Sequence, residues 1–204
     1  RGPDPTCFCR QGFILVWRPA SDGVNKNSMR LAFVTLLLGV HSLWAVDQKP
    51  LPLPFGISAY VPAGWKAVAF ATGDLNADGK PDLLLGRDNG QLAYLINTTV
   101  GTSPSFQLQT SALSDANNTI IQVPLFSAPQ LFDYNQDGLL DLMIGHKGGT
   151  IHYYLNTGSA ASPIFALETT QLGGVNVQSN GPDGYAVPHF FRFQDTTYLM
   201  VGAL

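Results

Sequence analysis

Two nine-residue stretches of the chain place oxygen-bearing side chains at a regular spacing. They read Asp74-Leu-Asn-Ala-Asp-Gly-Lys-Pro-Asp82 and Asp133-Tyr-Asn-Gln-Asp-Gly-Leu-Leu-Asp141. Both follow the pattern D-x-N-x-D-G-x-x-D, in which alternate side chains of a tightly turned loop can point toward one centre. The glycine at position 6 supplies the backbone freedom that such a turn needs. Because Ca²⁺ takes six to eight oxygen donors, both stretches are predicted to bind calcium.

Each stretch offers one predicted site with four side-chain ligands and a backbone carbonyl at position 7. The first site comprises Asp74, Asn76, Asp78, Lys80 and Asp82, and the second comprises Asp133, Asn135, Asp137, Leu139 and Asp141. The alternative interpretation is a pair of ordinary turns, because Asp, Asn and Gly are common turn residues. Two copies with matching oxygen donors favour the metal, since three carboxylates held together would repel one another without a cation.

The segments that follow the two stretches exclude one familiar kind of calcium loop. An EF-hand needs an acidic residue at position 12 and a helix on either side. Position 12 is Leu85 in the first stretch and Ile144 in the second. Residues 83–86 and 142–145 are instead short apolar runs that end in glycine. Such runs are typical of buried strands.

The two stretches belong to an internal repeat. Its period is 59 residues, and the same interval separates Asp133 from Arg192 in a partial third copy. Gly86 matches Gly145 and Asn97 matches Asn156 at that spacing, and no gap is needed. Each copy is predicted to form several strands and no helix. Repeats of this length are typical of arrays or propellers, and four strands per unit form a propeller blade. The predicted fold class is therefore all-β, a partial β-propeller of four-stranded blades with calcium-binding loops.

The pattern D-x-N-x-D-G-x-x-D-L-x-x-G, together with the strand after it, resembles the FG-GAP or VCBS repeat. The resemblance covers residues 67–204 and implies blades of an integrin-α-like propeller with calcium ligands at the positions named above. It divides this part of the chain into a blade at 67–125, a blade at 126–184 and a truncated blade at 185–204. Further blades are expected after Leu204, because a closed propeller needs four to eight.

The third copy is predicted to bind no calcium. Its loop is two residues shorter than the other two loops. Arg192 stands at the position of Asp133, and Tyr198 stands at the position of Asp141. The copy has therefore lost the acidic side chains that would coordinate the ion.

The region before the repeats contains a predicted secretory signal peptide at residues 29–45. It has a basic start, an apolar core and a small residue before Val46. The charge-free run of 16 residues is short for a membrane span, which needs about 20. The alternative is a buried helix or a pair of strands. Residues 1–28 show no strand pattern and stay unassigned; if Met29 is the start, they are translated upstream sequence. Residues 46–66 carry four prolines and are predicted to be an extended lead-in.

Charge and composition argue against two kinds of function, nucleic-acid binding and catalysis. From Val46 onward there are six Lys or Arg, twelve Asp or Glu and no cysteine, which gives a net charge of −6. Nucleic acid is excluded as a partner, because no basic stripe could meet phosphates. No catalytic constellation is present, so the chain is predicted not to be an enzyme. His146 and His152 are expected at surface turn and strand positions. Aromatic side chains at strand positions are expected to pack between blades: Tyr94, Tyr153, Tyr154 and Phe191.

Two functional classes follow from these observations. The first is a calcium-binding propeller, secreted or at the cell surface, that serves as a non-catalytic binding or adhesion module. Its ligand would be an extracellular protein or a carbohydrate, and its mature chain would have no membrane span. The alternative is an accessory propeller domain of a secreted, polysaccharide-active enzyme whose catalytic part lies outside this chain.

Overall fold

A computed structural model describes residues 13–16, 62, 64–178 and 184–203. The predicted signal peptide at 29–45 lies outside the described residues, as do most of residues 1–28 and of the lead-in at 46–66. Within the described part the fold is all-β, with a single turn of 3₁₀ helix at Leu172–Gly174. No helix in this part is long and apolar enough to cross a bilayer.

The strands are β1 (Phe13–Val16), β2 (Ala67–Gly73), β3 (Asp82–Arg87), β4 (Leu92–Asn97), β5 (Phe106–Thr110), β6 (Ala128–Phe132), β7 (Asp141–Gly145), β8 (Ile151–Asn156), β9 (Phe165–Thr169), β10 (Val187–Phe193) and β11 (Thr196–Gly202). They form three antiparallel sheets. Sheet I has the order β2-β3-β4-β5, sheet II the order β6-β7-β8-β9, and sheet III the order β1-β11-β10. Strands β3, β4 and β5 begin one repeat period before β7, β8 and β9, so the predicted repeat of four-stranded units is confirmed.

The second strand of each complete sheet is buried on both faces. Residues 83–85 of β3 and 142–144 of β7 are at most 4% exposed. Half-covered antiparallel strands alternate apolar and polar residues, whereas continuous apolar runs need cover on both sides. Sheet II covers one face of β3, and Trp65, Phe106 and Leu108 pack against its other face, whereas sheets I and III cover the two faces of β7.

Neighbouring sheets approach each other closely at a glycine that occurs at the same position in both complete repeats. A Cβ at Gly86 would overlap the carbonyl oxygen of Ser127 and lie 2.7 Å from the Cδ atom of Pro129. A Cβ at Gly145 would overlap the carbonyl oxygen of Ala186 and lie 2.6 Å from the Cδ atom of Pro188. The first strand of each sheet is therefore docked on the second strand of the sheet before it. The described residues form no closed arrangement of sheets, so the propeller stays a proposal.

Sheet III differs from the other two sheets in two ways. A two-residue turn, Gln194-Asp195, joins β10 to β11, and both residues have a positive φ (46° and 60°). That geometry suits a tight hairpin. The third copy therefore lacks the nine-residue loop of the other two copies, and the sequence correctly predicted that this connection is shorter. The sequence shows no strand pattern in residues 1–28, and the expectation of no strand there is wrong. Strand β1 pairs with β11, with Phe13 opposite Gly202 and Val16 opposite Leu199. A four-residue strand takes its backbone partners from a distant sheet edge, which local sequence does not reveal.

Candidate metal site

The two acidic stretches form the connections between the first and second strands of sheets I and II. We call residues 74–82 loop I and residues 133–141 loop II. Position 4 has a positive φ in both loops, 58° at Ala77 and 67° at Gln136. Position 6 has φ values of 81° at Gly79 and 87° at Gly138. No atom lies within 4 Å of a Cβ built on either glycine, so glycine is needed there for its conformation and not for space.

The aspartate at position 1 of each loop stabilises the turn by accepting hydrogen bonds from backbone N–H groups. In loop I, Asp74 Oδ2 accepts a hydrogen bond from the backbone N–H of Gly79 at 2.8 Å, and Asp74 Oδ1 accepts one from Asp78 at 3.2 Å. In loop II, Asp133 makes the corresponding bonds to the N–H groups of Gly138 and Asp137, both at 3.1 Å. Both loops therefore adopt one conformation, although their residues at positions 2, 4, 7 and 8 differ.

The side chains at positions 3 and 5 close smaller turns inside each loop. Asn76 Oδ1 accepts from the N–H of Asp78 at 3.0 Å, and Asp78 Oδ1 accepts from the N–H of Lys80 at 2.9 Å. Loop II repeats both bonds at 3.1 and 2.8 Å. These are Asx turns, which explain how short polar side chains stabilise the loop backbone. The side-chain oxygens of positions 1, 3 and 5 therefore each accept a hydrogen bond from a backbone N–H of their own loop.

The acid at position 9 has a different environment. Asp82 is 1% exposed and Asp141 is fully buried. Asp82 Oδ2 accepts from the Tyr94 hydroxyl at 2.7 Å and from the N–H of Leu75 at 3.1 Å, and its Oδ1 accepts from the N–H of Asn97 at 2.8 Å. The equivalent donors to Asp141 are Tyr153, Tyr134 and Asn156. This acid therefore joins the loop to the third strand of its own sheet.

Burial and hydrogen bonding act in opposite directions on the pKa of Asp141. Burial raises the pKa of Asp141, while the three hydrogen bonds it accepts lower that pKa, and the result lies above the usual range. Burial raises the pKa of Tyr94 and of Tyr153, and the neighbouring carboxylate raises each further. Both phenols therefore stay protonated and keep donating to the carboxylates.

Sequence reasoning missed the supporting role of four residues: Tyr94, Asn97, Tyr153 and Asn156. The sequence predicts that the two tyrosines pack between blades. In the structure their hydroxyl groups also donate hydrogen bonds to the acid at position 9. The amide of Asn97 donates to the Pro81 carbonyl at 2.9 Å, and the amide of Asn156 donates to the Leu140 carbonyl at 3.2 Å. The match of the two asparagines at the repeat spacing is the signal that could have identified them.

The donor set of each loop fits Ca²⁺ in kind and in number. A carboxylate has about four acceptor sites and an amide or carbonyl oxygen about two. Loop hydrogen bonds occupy three sites on Asp74, three on Asp82 and one each on Asn76 and Asp78. Six oxygen atoms keep a free acceptor site once the Lys80 carbonyl is included, one each on Asp74, Asn76 and Asp82 and two on Asp78, which is the lower end of the six to eight oxygen ligands that calcium takes.

The side chains are not gathered around one point. Within the described residues, no group of three or more His, Cys, Asp or Glu side chains is arranged to hold a metal ion. The side chains of positions 1 and 3 both accept from the backbone N–H of position 5, whereas the side chain of position 9 is held inside the sheet. The ligand assignments made from sequence therefore remain proposals.

One of the two histidines near loop II, His146, lies differently from the sequence expectation. His146 is buried, not at the surface, because its ring turns back over the turn that follows β7. Its Nδ1 accepts from the N–H of Gly148 at 2.9 Å, and its Nε2 lies 2.9 Å from the Thr150 hydroxyl. These contacts fit a neutral ring with the proton on Nε2. Burial, and then the neighbouring His152, lower the pKa of His146 to about 4.

Comparison with known proteins identifies the repeat. The family model of the FG-GAP repeat matches residues 67–96, which span β2, loop I, β3 and most of β4. The architecture is that of an all-β repeat protein built from four-stranded antiparallel sheets. The chain therefore contains an FG-GAP repeat at residues 67–96. No curated protein and no solved structure matches the chain.

Proposed function

We propose that this chain is part of a secreted, calcium-binding β-propeller that serves as a non-catalytic binding or adhesion module. One observation carries the proposal. Loops I and II repeat the same hydrogen bonds at the same positions, one repeat period apart, although their other side chains differ. Ordinary turns need only one or two of these residues. Retention of all four oxygen side chains is explained by a shared ligand that needs oxygen donors.

The proposed propeller rests on how the sheets stack. Sheet II is placed on sheet I by Gly86, and sheet III is placed on sheet II by Gly145, with the same carbonyl and proline contacts. A repeated step of this kind generates a radial arrangement of blades. The outer face of sheet III supports further blades, because it exposes several large apolar side chains: Val187, Phe191, Phe193 and Met200.

The proposed calcium sites are structural. When bound, the ion would offset two of the three negative charges of a loop. The chain's own residues prepare the site: Gly79 sets the turn, and Asp74 holds the backbone around it. Tyr94 fixes the orientation of Asp82, so that the buried acid stays beside the loop while its hydrogen bonds are satisfied. The ligand sets are those given above, with Lys80 and Leu139 contributing backbone carbonyls.

The proposed location and partner rest on sequence. The proposed secretion rests on the predicted signal peptide at residues 29–45, and the FG-GAP repeat is consistent with an extracellular protein. A net charge of −6 after Val46 disfavours nucleic acid. The proposed ligand is an extracellular protein or a carbohydrate that contacts the surface formed by several blades.

Thermal unfolding tests the calcium sites. The full chain should melt at a higher temperature with Ca²⁺ than with chelator, because an ion that binds only the folded state stabilises it by about 3 kcal/mol at a hundredfold excess over Kd. Mg²⁺ should stabilise less, since it prefers small octahedral sites. The double variant Asp74→Asn, Asp133→Asn should lose the response. Asp115→Asn is the matched control, because Asp115 caps an ordinary turn outside both loops. A response that survives in the double variant would show that the loops are not the sites.

A further inference from the structure

We propose that His146 and His152 make the contact between sheets II and III acid-sensitive, so that protonation of either ring releases the segment before β10 from the turn after β7. The contact between sheets I and II is built in the same way and should not respond. The inference is independent of the calcium binding proposed above, and it concerns two histidines that the proposed function does not use.

Sheet III is attached to sheet II by backbone hydrogen bonds to the turn between β7 and β8. We call these bonds joint B. The N–H groups of Gly184 and Tyr185 both donate to the Lys147 carbonyl, at 2.7 and 3.2 Å, and the N–H of Ala186 donates to the His146 carbonyl at 3.0 Å. The segment that leads into β10 is therefore held by the carbonyls of the two residues that open this turn.

The equivalent bonds between sheets I and II, which we call joint A, have an additional side-chain contact. The N–H of Phe126 donates to the Asp88 carbonyl at 3.0 Å, and the N–H of Ser127 donates to the Arg87 carbonyl at 3.1 Å. The Ser127 hydroxyl also accepts from the N–H of Arg87 at 2.8 Å. Ala186 stands one repeat period after Ser127 and has no hydroxyl, so joint B lacks this bond.

The ring of His146 stabilises the turn of joint B only in its neutral form. Its Nδ1 accepts from the N–H of Gly148 at 2.9 Å, and its Nε2 lies 2.9 Å from the Thr150 hydroxyl. A Cβ at residue 148 would lie 2.6 Å from Cε1 of the ring, so the ring packs directly on the glycine backbone. An imidazolium carries a proton on both nitrogens and accepts no hydrogen bond. Protonation therefore breaks the bond to Gly148 and opposes this ring position.

The second ring makes a positive charge at this place more costly. The centres of the His146 and His152 rings are 4.9 Å apart, and Nδ1 of His152 is buried without a hydrogen-bond partner among the described residues. Burial lowers the pKa of both histidines, and His152 lowers that of His146 further. The equivalent residues in sheet I are Arg87 and Ala93, so joint A has no imidazole at either position.

Other titratable groups reach the pair from the elements packed around it. Lys147 lies in the turn itself, and its ammonium nitrogen is 5.8 Å from the centre of the Tyr185 ring, in the segment before β10. On the side of sheet I, burial and then the Asp115 carboxylate raise the pKa of Tyr154, which follows His152 on β8. Histidine is the side chain whose ordinary pKa, about 6.5, lies in the mildly acidic range.

Amide hydrogen exchange of the full chain at about pH 7.5 and about pH 5.5 tests the inference, with protection corrected for the intrinsic rates. The folded-state pKa of a buried neutral histidine is lowered, so its contribution to closure is complete above about pH 6.5 and is lost as the pH falls. Protection at residues 184–186 should therefore fall at least about tenfold, because pH 5.5 is about one unit below the ordinary pKa. Protection at residues 126–127 should change by less than about twofold. Chelator is present throughout, so that release of calcium contributes nothing.

Three variants of the full chain connect the fall in protection to the two rings. His152→Ala introduces the residue that sheet I has at this position and should reduce the fall. The double variant His146→Gln, His152→Ala should abolish it. His189→Gln is the matched control, because His189 is an exposed histidine on β10 that takes no part in joint B, and it should leave the fall unchanged.

The contrary results are equally specific. An equal fall at joints A and B, or the absence of a fall at joint B in the unsubstituted protein, would overturn the inference. Persistence of the full fall in the double variant would overturn it as well. If the double variant does not fold, His152→Ala decides the matter, and an undiminished fall in that variant refutes the role of the pair.

Discussion

Replacing Gly145 with alanine should be among the most damaging single-methyl changes in this protein. The added Cβ would overlap the Ala186 carbonyl oxygen and lie 2.6 Å from Pro188 Cδ, and neither atom belongs to a flexible side chain. The φ angle of Gly145 is not positive, so the backbone itself accepts alanine. The cost is therefore steric and falls on the contact between sheets II and III. Overpacking of this kind costs about 1–3 kcal/mol or more.

The same repeat position in sheet III provides a matched control. A Cβ at Gly202 would have Val187 as its near neighbour, with atoms at 3.7 and 3.8 Å, which is ordinary van der Waals contact. Gly202→Ala should be neutral or stabilise slightly, because alanine loses less backbone entropy on folding, by about 0.5–1 kcal/mol. Gly86→Ala should resemble Gly145→Ala, since its Cβ would overlap the Ser127 carbonyl oxygen.

Urea and thermal unfolding, both followed by circular dichroism, measure these differences. A loss of about 3 kcal/mol should lower the melting temperature by about 6–12 °C, at about 2–4 °C per kcal/mol for a protein of this size. The reasoning would be refuted if Gly145→Ala changed the free energy of unfolding by less than about 0.5 kcal/mol, the range of an ordinary surface substitution. It would also be refuted if Gly202→Ala were equally damaging, because the repeated close approach would then not be the cause.

Three further predictions concern groups inside the sheets. Tyr153→Phe removes the hydroxyl that donates to buried Asp141 and should cost about 1–3 kcal/mol in calcium-free buffer, measured by urea unfolding. Gln130→Leu removes two bonds from the Gln130 amide to the backbone of Phe190, which join β6 to β10, and should cost about 1–3 kcal/mol in the same assay. His146 has a folded-state pKa of about 4, below its unfolded value, so its contribution to stability is complete above about pH 6.5 and is lost as the pH falls toward 4. A His146→Gln variant should show a smaller loss over that interval than the unsubstituted protein.

Each of these predictions has a clear contrary result. If Tyr153→Phe is as stable as the unsubstituted protein, the buried acid does not depend on the phenol. If Gln130→Leu leaves the free energy of unfolding unchanged, apolar packing of the leucine compensates for the two hydrogen bonds lost between β6 and β10. If His146→Gln and the unsubstituted protein lose stability in parallel on acidification, other groups control the pH dependence, with Asp141 acting in the opposite sense because its pKa is raised.

The repeat made much of this fold predictable from sequence. The spacing between Asp74 and Asp133 located the loops, the glycines that turn them and the strands that follow. The apolar run after each loop correctly indicated a strand buried on both faces. These features depend on local pattern and on self-similarity, which sequence records directly.

Other features depend on contacts between distant strands. The burial of Asp82 beside Tyr94 requires the register that places β4 next to β3, and the spacing of acids alone suggested that all four ligands were equivalent. The turn residues around His146 indicate a surface position, yet its ring is covered by the turn it closes. The pairing of β1 with β11 depends on a sheet edge almost two hundred residues away in sequence.

Calcium stoichiometry tests the central claim most directly. Equilibrium dialysis of the full chain against Ca²⁺, with metal analysis of the protein, counts the bound ions. The account predicts two ions per chain, one in Asp137→Asn and none in the double variant Asp74→Asn, Asp133→Asn, with all three proteins folded by circular dichroism. Bound calcium that is unchanged in the folded double variant, or absent from the unsubstituted protein, would contradict the account.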